Sequence, residues 1–429
     1  MSVETLDHLT HSGIEAQKIP AMQDLDASKL AIELTKSPRK VPELNSAGVW
    51  SCKECTDHTL ELASKNKLSF AYPSSVLTVT WLEGKGWGTP KIVPYGPLTI
   101  MPTASCLHYA TQCFEGMKIY RGYDGKLRLF RPDRNCARLV TSSARVSLPI
   151  FNPVELEKLL KALMKIDGAK WLPKSEPGNF LYLRPAVIGN GEQLGVSAPP
   201  EVLLFVIAVP WPDLSTGWNP STDKKAPGLK LLASKNDTRA WPGGFGYAKV
   251  GANYGPSFVA STEGRKKGYD QILWLFGPDY QVTEAGASNF FIIWTTKEGK
   301  MQLITAPLDD KIILDGVTRR SVLELAHERF IVGSEYLDSN IKPLEVVERT
   351  FTMAEVVEAK NENRIVEAFV SGTAYFITPV SAINFQEEEF SIPMGGGETG
   401  YFAGALKKWL MDIKYGNVDH PWGVIVEED

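Results

Sequence analysis

Cysteine is scarce in this chain of 429 residues. The five present, Cys52, Cys55, Cys106, Cys113 and Cys136, are too few and odd in number for a disulfide framework, so a reducing compartment is expected. A charge surplus of one sign is missing too: 46 Lys and Arg stand against 50 Asp and Glu, a formal net charge of −4. That leaves no basic excess to grip a polyanion, and no nucleic-acid partner is expected. No apolar run approaches the ~18 residues a membrane-crossing helix requires; the longest, residues 202–210, has the length of a strand. The opening stretch MSVETLDHLTHSGIEAQ holds no arginine, the first being Arg39, and no apolar core segment. Neither a transit peptide nor a secretory signal is expected, and the chain reads as a soluble cytoplasmic protein. Gly (36) and Pro (28) are close to ordinary usage, which excludes collagen-like and disordered readings.

What is present divides into blocks. Residues 1–65 read as a polar, weakly periodic N-terminal extension. Its Cys52-Lys-Glu-Cys55 with nearby His58 lacks the second pair that a structural zinc site requires, and no metal is expected. Residues 66–208 read as a smaller α+β domain. A strand is expected over 77–81, and Met117–Arg121 with Leu127–Phe130 flank an Asp124-Gly125 hairpin turn. A helix then opens at Pro132, and a second opens behind Asn152-Pro153 with Leu156, Leu159, Leu160 and Leu163 on one face. Two further strands close the block at 180–188 and 202–209. Residues 209–218 break the pattern as an interdomain linker. Residues 219–429 read as a larger mixed α/β domain, with strands near 229–233, 271–276, 290–296 and 302–305. Its helices are expected at 317–328, at 353–360 behind the capping box Thr352-x-x-Glu355, and at 402–415 closed by Gly416. The fold class is α/β (α+β) in two domains, with a cleft between them where a small molecule could bind.

Four segments set polar residues in glycine-bearing breaks beside apolar strands. Lys249, among small residues and an aromatic, is either a desolvated nucleophile or a surface lysine before a helix. Glu284, just ahead of the apolar strand starting at Phe290, either meets a ligand or sits in a solvated turn. Leu314-Asp-Gly-Val317-Thr318 either offers free N–H groups to an anion or simply caps a helix. Ser371-Gly-Thr373-Ala374 can supply N–H groups and a hydroxyl to a phosphate. His108 and His327 stand in apolar contexts and read as structural. Arg145 reads as a solvated helix arginine. Trp211, Trp218 and Trp241 either border the cleft or pack.

Taken in order, these segments resemble the branched-chain aminotransferase family, fold-type-IV pyridoxal phosphate enzymes. The resemblance covers about residues 76–426. It is carried by LHYATQCFEGMKIYRG (107–122), FRPDRNCAR (130–138), LYLRPAVIG (181–189), TRAWPGG (238–244), KVGANYG (249–255), WLFGP (274–278), TEAG (283–286), GVTRRSVL (316–323) and SGTA (371–374). It implies pyridoxal 5′-phosphate as cofactor and transamination of leucine, isoleucine and valine with 2-oxoglutarate, in a homodimer. Lys249 would be the Schiff-base lysine and proton carrier, Glu284 the partner of the ring nitrogen, and Tyr254 the partner of the phenolic oxygen. Arg138, Val317, Thr318 and Thr373 would hold the phosphate, with Ala287, Leu314 and Gly316 completing the cofactor site. Tyr109, Phe114, Tyr182, Arg184, Val196, Thr373 and Ala374 would wall the substrate pocket, Phe114 and Val196 being equally readable as packing. Amino acids and 2-oxo acids are the implied partners.

Some positions depart from the family pattern. Ala287 stands where eukaryotic members commonly carry threonine. Tyr375 and Thr378 replace a redox C-x-x-C of mammalian members, so no thiol switch is expected there. Trp211-Pro-Asp-Leu replaces the usual Gly-Pro-Tyr linker, and Phe70-Ala-Tyr72 intervenes before the first strand. The cofactor site is thus kept more faithfully than the substrate site. The alternatives left open are a related aminotransferase or lyase for an aromatic or unusual amino acid, and a non-catalytic binding protein on the same fold.

Overall fold

The computed structural model describes residues 23–36, 74–192, 194–211, 228–395 and 397–428, with the backbone of 43–44, 50–51, 218–219 and 224–225. The expected extension and the linker lie largely outside this set, as do Cys52, Cys55 and His58.

Two large sheets dominate. The first is built from β1 (Ser75–Leu82), β2 (Lys91–Pro94), β3 (Gln112–Phe114), β4 (Met117–Arg121), β5 (Leu127–Phe130), β6 (Phe180–Gly189) and β7 (Glu201–Pro210). Its strands run in the order β2-β1-β7-β6-β4-β5, with β3 paired to β6, and all of these pairings are antiparallel. The expected hairpin joins β4 to β5, with Gly125 at φ 78° supplying the left-handed turn. A short helix, α1 (Ser105–Tyr109), precedes β3.

Two longer helices cover one side of this sheet. The first, α2 (Pro132–Arg145), starts with Pro132 in the first turn, where its missing N–H costs nothing. The second, α3 (Pro153–Trp171), is capped by Asn152, whose side chain accepts from Val154 N at 3.0 Å. Leu156, Leu159, Leu160 and Leu163 of α3 are fully buried in the core shared with α2 and the sheet. Each contributes about 2 kcal/mol of apolar burial.

The second sheet holds β8 (Leu229–Ala233), β9 (Gln271–Phe276), β10 (Gln281–Ala285), β11 (Ser288–Thr295), β12 (Met301–Thr305), β13 (Leu344–Glu348), β14 (Ile365–Gly372), β15 (Phe376–Phe385) and β16 (Glu388–Ser391). Its order is β10-β9-β8-β15-β14-β11-β12-β13, with β16 on β15, and parallel pairings join β8 to β9, β8 to β15 and β12 to β13. The accompanying helices are α4 (Ser257–Lys266), α5 (Val317–Arg329), α6 (Met353–Asn361) and α7 (Tyr401–Lys414). The capping box expected at the start of α6 is formed in both directions, Glu355 N to Thr352 Oγ1 and Thr352 N to Glu355 Oε2.

One strand departs from the sequence division. The last, β17 (Gly423–Val426), counted with the second block, crosses back and pairs antiparallel with β5 of the first sheet. Glu428, just beyond it, accepts two hydrogen bonds from the fully buried Arg121, Nη1 to Oε2 at 2.6 Å and Nη2 to Oε1 at 2.8 Å. The two sheets also share an apolar cluster in which Tyr120, Phe130 and Phe180 pack with residues of α5 and α7. Arg131 crosses between them as well, donating to Ser321 and Glu324 of α5. These ties fix the two sheets relative to each other.

Candidate active site

Lys249 belongs to the second block but is anchored to the first. Its N–H donates to Ser142 Oγ of α2 at 2.8 Å, and its carbonyl accepts from Phe114 N of β3 at 3.0 Å. Its Nζ donates to Tyr254 Oη at 3.0 Å and lies 5.1 Å from the centre of the Phe114 ring. The chain between makes a single 3-10 turn, Gly251–Asn253, which brings Tyr254 back to the amine. Asn253 holds that turn by donating to the carbonyls of Phe245 and Ala248. Burial alone would raise the Tyr254 phenol, but the Lys249 ammonium, aided by Arg239 and Arg138, holds it below its ordinary value of 10.

Glu284 was expected in a bend and instead lies in β10, one residue pair from the tight turn into β11, opposite Asn289. It is 3% exposed. Oε1 accepts from Asn289 Nδ2 and Leu314 N, both at 3.2 Å, and Oε2 accepts from Arg239 Nη2. Asn289 also donates to the Leu314 carbonyl at 2.9 Å, fixing its amide. A buried carboxylate with these donors is an oriented anion, and Oε2 retains acceptor capacity for one more N–H.

Arg138 of α2 is gripped from the side by the fully buried Glu115: Nε to Oε1 at 2.7 Å and Nη2 to Oε2 at 2.8 Å. Its Nη1 donates to the Asp315 carbonyl at 2.7 Å, just ahead of α5. Burial would lower the guanidinium, but Glu115 outweighs it and raises it further. One N–H on each Nη remains uncommitted by these bonds. No side chain caps α5 at Gly316, so Val317 and Thr318 begin the helix without a side-chain acceptor. A Cβ at Gly316 would collide with Asn289 Oδ1. Thr373, in the turn between β14 and β15, donates through Oγ1 to the Gly116 carbonyl at 3.1 Å, and Asn135 bridges that carbonyl and Glu115. A guanidinium edge and an uncapped helix start, tied together through the Asp315 carbonyl, make a donor set suited to a phosphate, which the Thr373 hydroxyl joins on leaving the Gly116 carbonyl.

On the other side, the Phe114 ring lies 4.9 Å from that of Tyr254, and the Arg184 guanidinium lies 4.7 Å from the Phe114 ring. Arg184 Nη2 donates to Tyr182 Oη at 3.4 Å, and Tyr182 packs on Trp211 at 5.5 Å. Ala374 follows Thr373 in the same turn. Tyr109 and Val196 lie on the surface instead, 41% and 89% exposed, with Tyr109 Oη donating to the Leu194 carbonyl at 3.1 Å. Ala287 is exposed at the tip of the turn between β10 and β11. Arg145 reaches the Gly244 carbonyl at 3.4 Å, away from Arg138's partners. His108 and His327, expected to be structural, are both exposed, and His108 Nε2 lies 2.8 Å from the Pro102 carbonyl. Among the described residues no cluster of metal-binding side chains occurs, and no helix is long and apolar enough to cross a membrane.

The sequence profile of the amino-transferase class IV family matches residues 112–383. A mitochondrial branched-chain-amino-acid aminotransferase of Schizosaccharomyces pombe is 37% identical over 96% of this chain and 88% of its own length. A cytosolic one of Saccharomyces cerevisiae is 41% identical over 94% and 98%. The chain belongs to the class IV aminotransferase family. The fold agrees: the PLP-form branched-chain aminotransferase of Thermobaculum terrenum aligns with a TM-score of 0.62 at 24% identity, over 83% of this chain and 99% of its own.

In this class IV aminotransferase, sequence reasoning passed over four buried polar residues that hold the others in place: Glu115, Asn135, Arg239 and Asn289. Glu115 and Arg239 sit inside the matched strings FEGMK and TRAWPGG. A charged residue embedded in such a string was the available signal.

Proposed function

We propose that this chain is a branched-chain-amino-acid aminotransferase that moves the amino group of leucine, isoleucine or valine to 2-oxoglutarate, giving the branched 2-oxo acid and L-glutamate. The observation that carries this reading is Lys249 Nζ held at 3.0 Å from Tyr254 Oη, between an oriented buried carboxylate and a phosphate-suited donor set. Pyridoxal phosphate, when bound, supplies an aldehyde and an electron-accepting ring that together make the substrate Cα proton removable. Lys249 would carry that proton, taking it from Cα and returning it at the cofactor carbon C4′. Glu284 would keep a proton on the ring nitrogen, and Tyr254 would donate to the ring oxygen. Arg138, the Val317 and Thr318 N–H groups and Thr373 hold the phosphate.

Phe114 and Tyr182 present rings to an aliphatic side chain, while Arg184 offers cationic N–H groups to the second carboxylate of 2-oxoglutarate. The backbone of Ala374 serves the α-carboxylate. The exposed Tyr109 and Val196 reach the site of a second copy, making a homodimer the working unit. Relatives are named as both cytosolic and mitochondrial, and a cytoplasmic location is the reading for this chain. Steady-state kinetics with 2-oxoglutarate across leucine, isoleucine, valine, phenylalanine and methionine test the substrate. The first three are expected to give the highest kcat/KM. Product release without consumption of the acceptor would identify a lyase instead.

A further inference from the structure

Arg239 comes from the loop that follows β8 and reaches Glu284. Its side chain is 9% exposed. Nη2 donates to Glu284 Oε2 and lies 3.5 Å from the Ile312 carbonyl. Nε, also buried, has no hydrogen-bond partner among the described residues. Without this guanidinium Glu284 would be a buried carboxylate served only by neutral donors, Asn289 and the Leu314 N–H, a costly arrangement.

We infer that Arg239 is a positioning residue: it fixes Glu284 Oε2 and sets how tightly the bound cofactor holds its protons. The inference rests on the reading that Glu284 serves the cofactor ring. The charged and titratable groups around it are Glu284 on β10, Lys249 and Tyr254 on the 249–255 segment, Arg138 on α2, and Glu115 between β3 and β4. Arg239 thus adds a third cation to a site with two carboxylates and one phenol. It acts on Tyr254 as well as Glu284: burial raises that phenol, and the Arg239 charge, second to Lys249, helps bring it below its ordinary value. Burial in turn draws the guanidinium itself down to about 10.

The sign follows from charge alone. Removing a cation from this set favours every protonated form nearby, and it leaves the full charge of Glu284 to hold the ring nitrogen's proton in place. Both effects act in the same direction. Because Arg239 makes a single bond to Glu284, an ammonium in its place preserves the charge and the contact.

The test is a pH titration of the visible absorption of protein loaded with pyridoxal phosphate, for the unsubstituted chain, Arg239→Met and Arg239→Lys. The midpoint is expected to rise by about one to two pH units in Arg239→Met and to stay within about half a unit in Arg239→Lys. A residue that only supports the fold would lower thermal stability in both variants and leave the midpoint where it was. Cofactor-loaded Arg239→Met with an unmoved midpoint would overturn the inference. Should Arg239→Met not fold, Arg239→Lys decides: a shift of about a full unit there shows that charge is not what matters, and overturns it as well. A failure of the functional reading looks different, since the unsubstituted chain would then give no visible band with pyridoxal phosphate at all.

Discussion

Glu115 and Arg138 form a two-pronged ion pair, Nε to Oε1 at 2.7 Å and Nη2 to Oε2 at 2.8 Å, around a carboxylate with no solvent exposure. Burial would raise that carboxyl, but Arg138, with help from Lys249 and Asn135, keeps it below its ordinary 4.5. The pair joins the arginine proposed to hold phosphate to the Gly116 carbonyl that receives Thr373.

Removing one partner of such a pair leaves a buried charge unmatched, so Glu115→Gln is expected to cost about 3–5 kcal/mol of stability at neutral pH. The folded pKa lies below the unfolded 4.5, so the contribution of Glu115 is present above that value and lost as pH falls through the folded one. Urea denaturation of the two proteins should therefore differ most near pH 7 and converge on acidification. Overlaid curves at pH 7 would show that the pair does not stabilise the fold.

Glu367 behaves in the opposite sense. It is 3% exposed on β14 and accepts from Ala403 N at 2.7 Å and Phe402 N at 3.3 Å, at the start of α7. Burial pushes its carboxyl up to about 7, the two N–H donors only partly opposing this. Folding then takes up a proton between about 4.5 and 7, so its contribution is greatest below pH 4.5 and falls as pH rises through 7. The expected loss across that window is roughly 3 kcal/mol. Glu367→Gln should flatten this dependence while giving up one N–H bond, worth about 1 kcal/mol. Denaturation midpoints at pH 5, 6, 7 and 8 would measure it, and parallel slopes in the two proteins would count against it.

Local rules explain which parts of this were readable in sequence. The leucine face of α3, the Asn152-Pro153 start, the hairpin at Gly125 and the capping box at Thr352 each depend on residues within a turn or two of one another. By contrast, α4 buries only Ala260 and Gly264 and turns Phe258 and Val259 outward, so no apolar stripe announces it. The return of β17 to the first sheet depends on pairing far back in the chain, Gly423 with Phe130 of β5. The site divides in the same way. Lys249 and Tyr254 are five residues apart and legible as a unit, whereas Glu284 and Arg239, or Arg138 and Glu115, meet only through the tertiary fold.

Tyr254→Phe removes the hydroxyl that receives Lys249 Nζ while keeping the ring beside Phe114. A hydrogen bond to a charged group is worth about 1.5–3 kcal/mol, so kcat should fall by roughly 10- to 100-fold with little change in Tm. Lys249→Ala, which deletes the proton carrier, should abolish turnover. Substantial activity in the Lys249 variant would refute its assigned role, whatever Tyr254→Phe does.

Gly116 offers a test of the substrate wall that leaves the proton chemistry alone. A Cβ at this position would collide with Tyr182 Oη and come within 2.8 Å of its Cζ. The obstructed atoms are the far end of a side chain rather than backbone, so Gly116→Ala should fold by displacing the Tyr182 ring. That ring packs on Trp211 and carries the hydroxyl that receives Arg184, so its displacement disturbs the surface proposed to meet the substrate. KM for leucine and for 2-oxoglutarate should rise about tenfold, equivalent to ~1.4 kcal/mol of lost binding, while kcat changes less. Should both KM values stay unchanged in a folded Gly116→Ala protein, Tyr182 and Arg184 would have to be removed from the pocket. A large fall in kcat with unchanged KM would instead trace to the Gly116 carbonyl and its bond to Thr373.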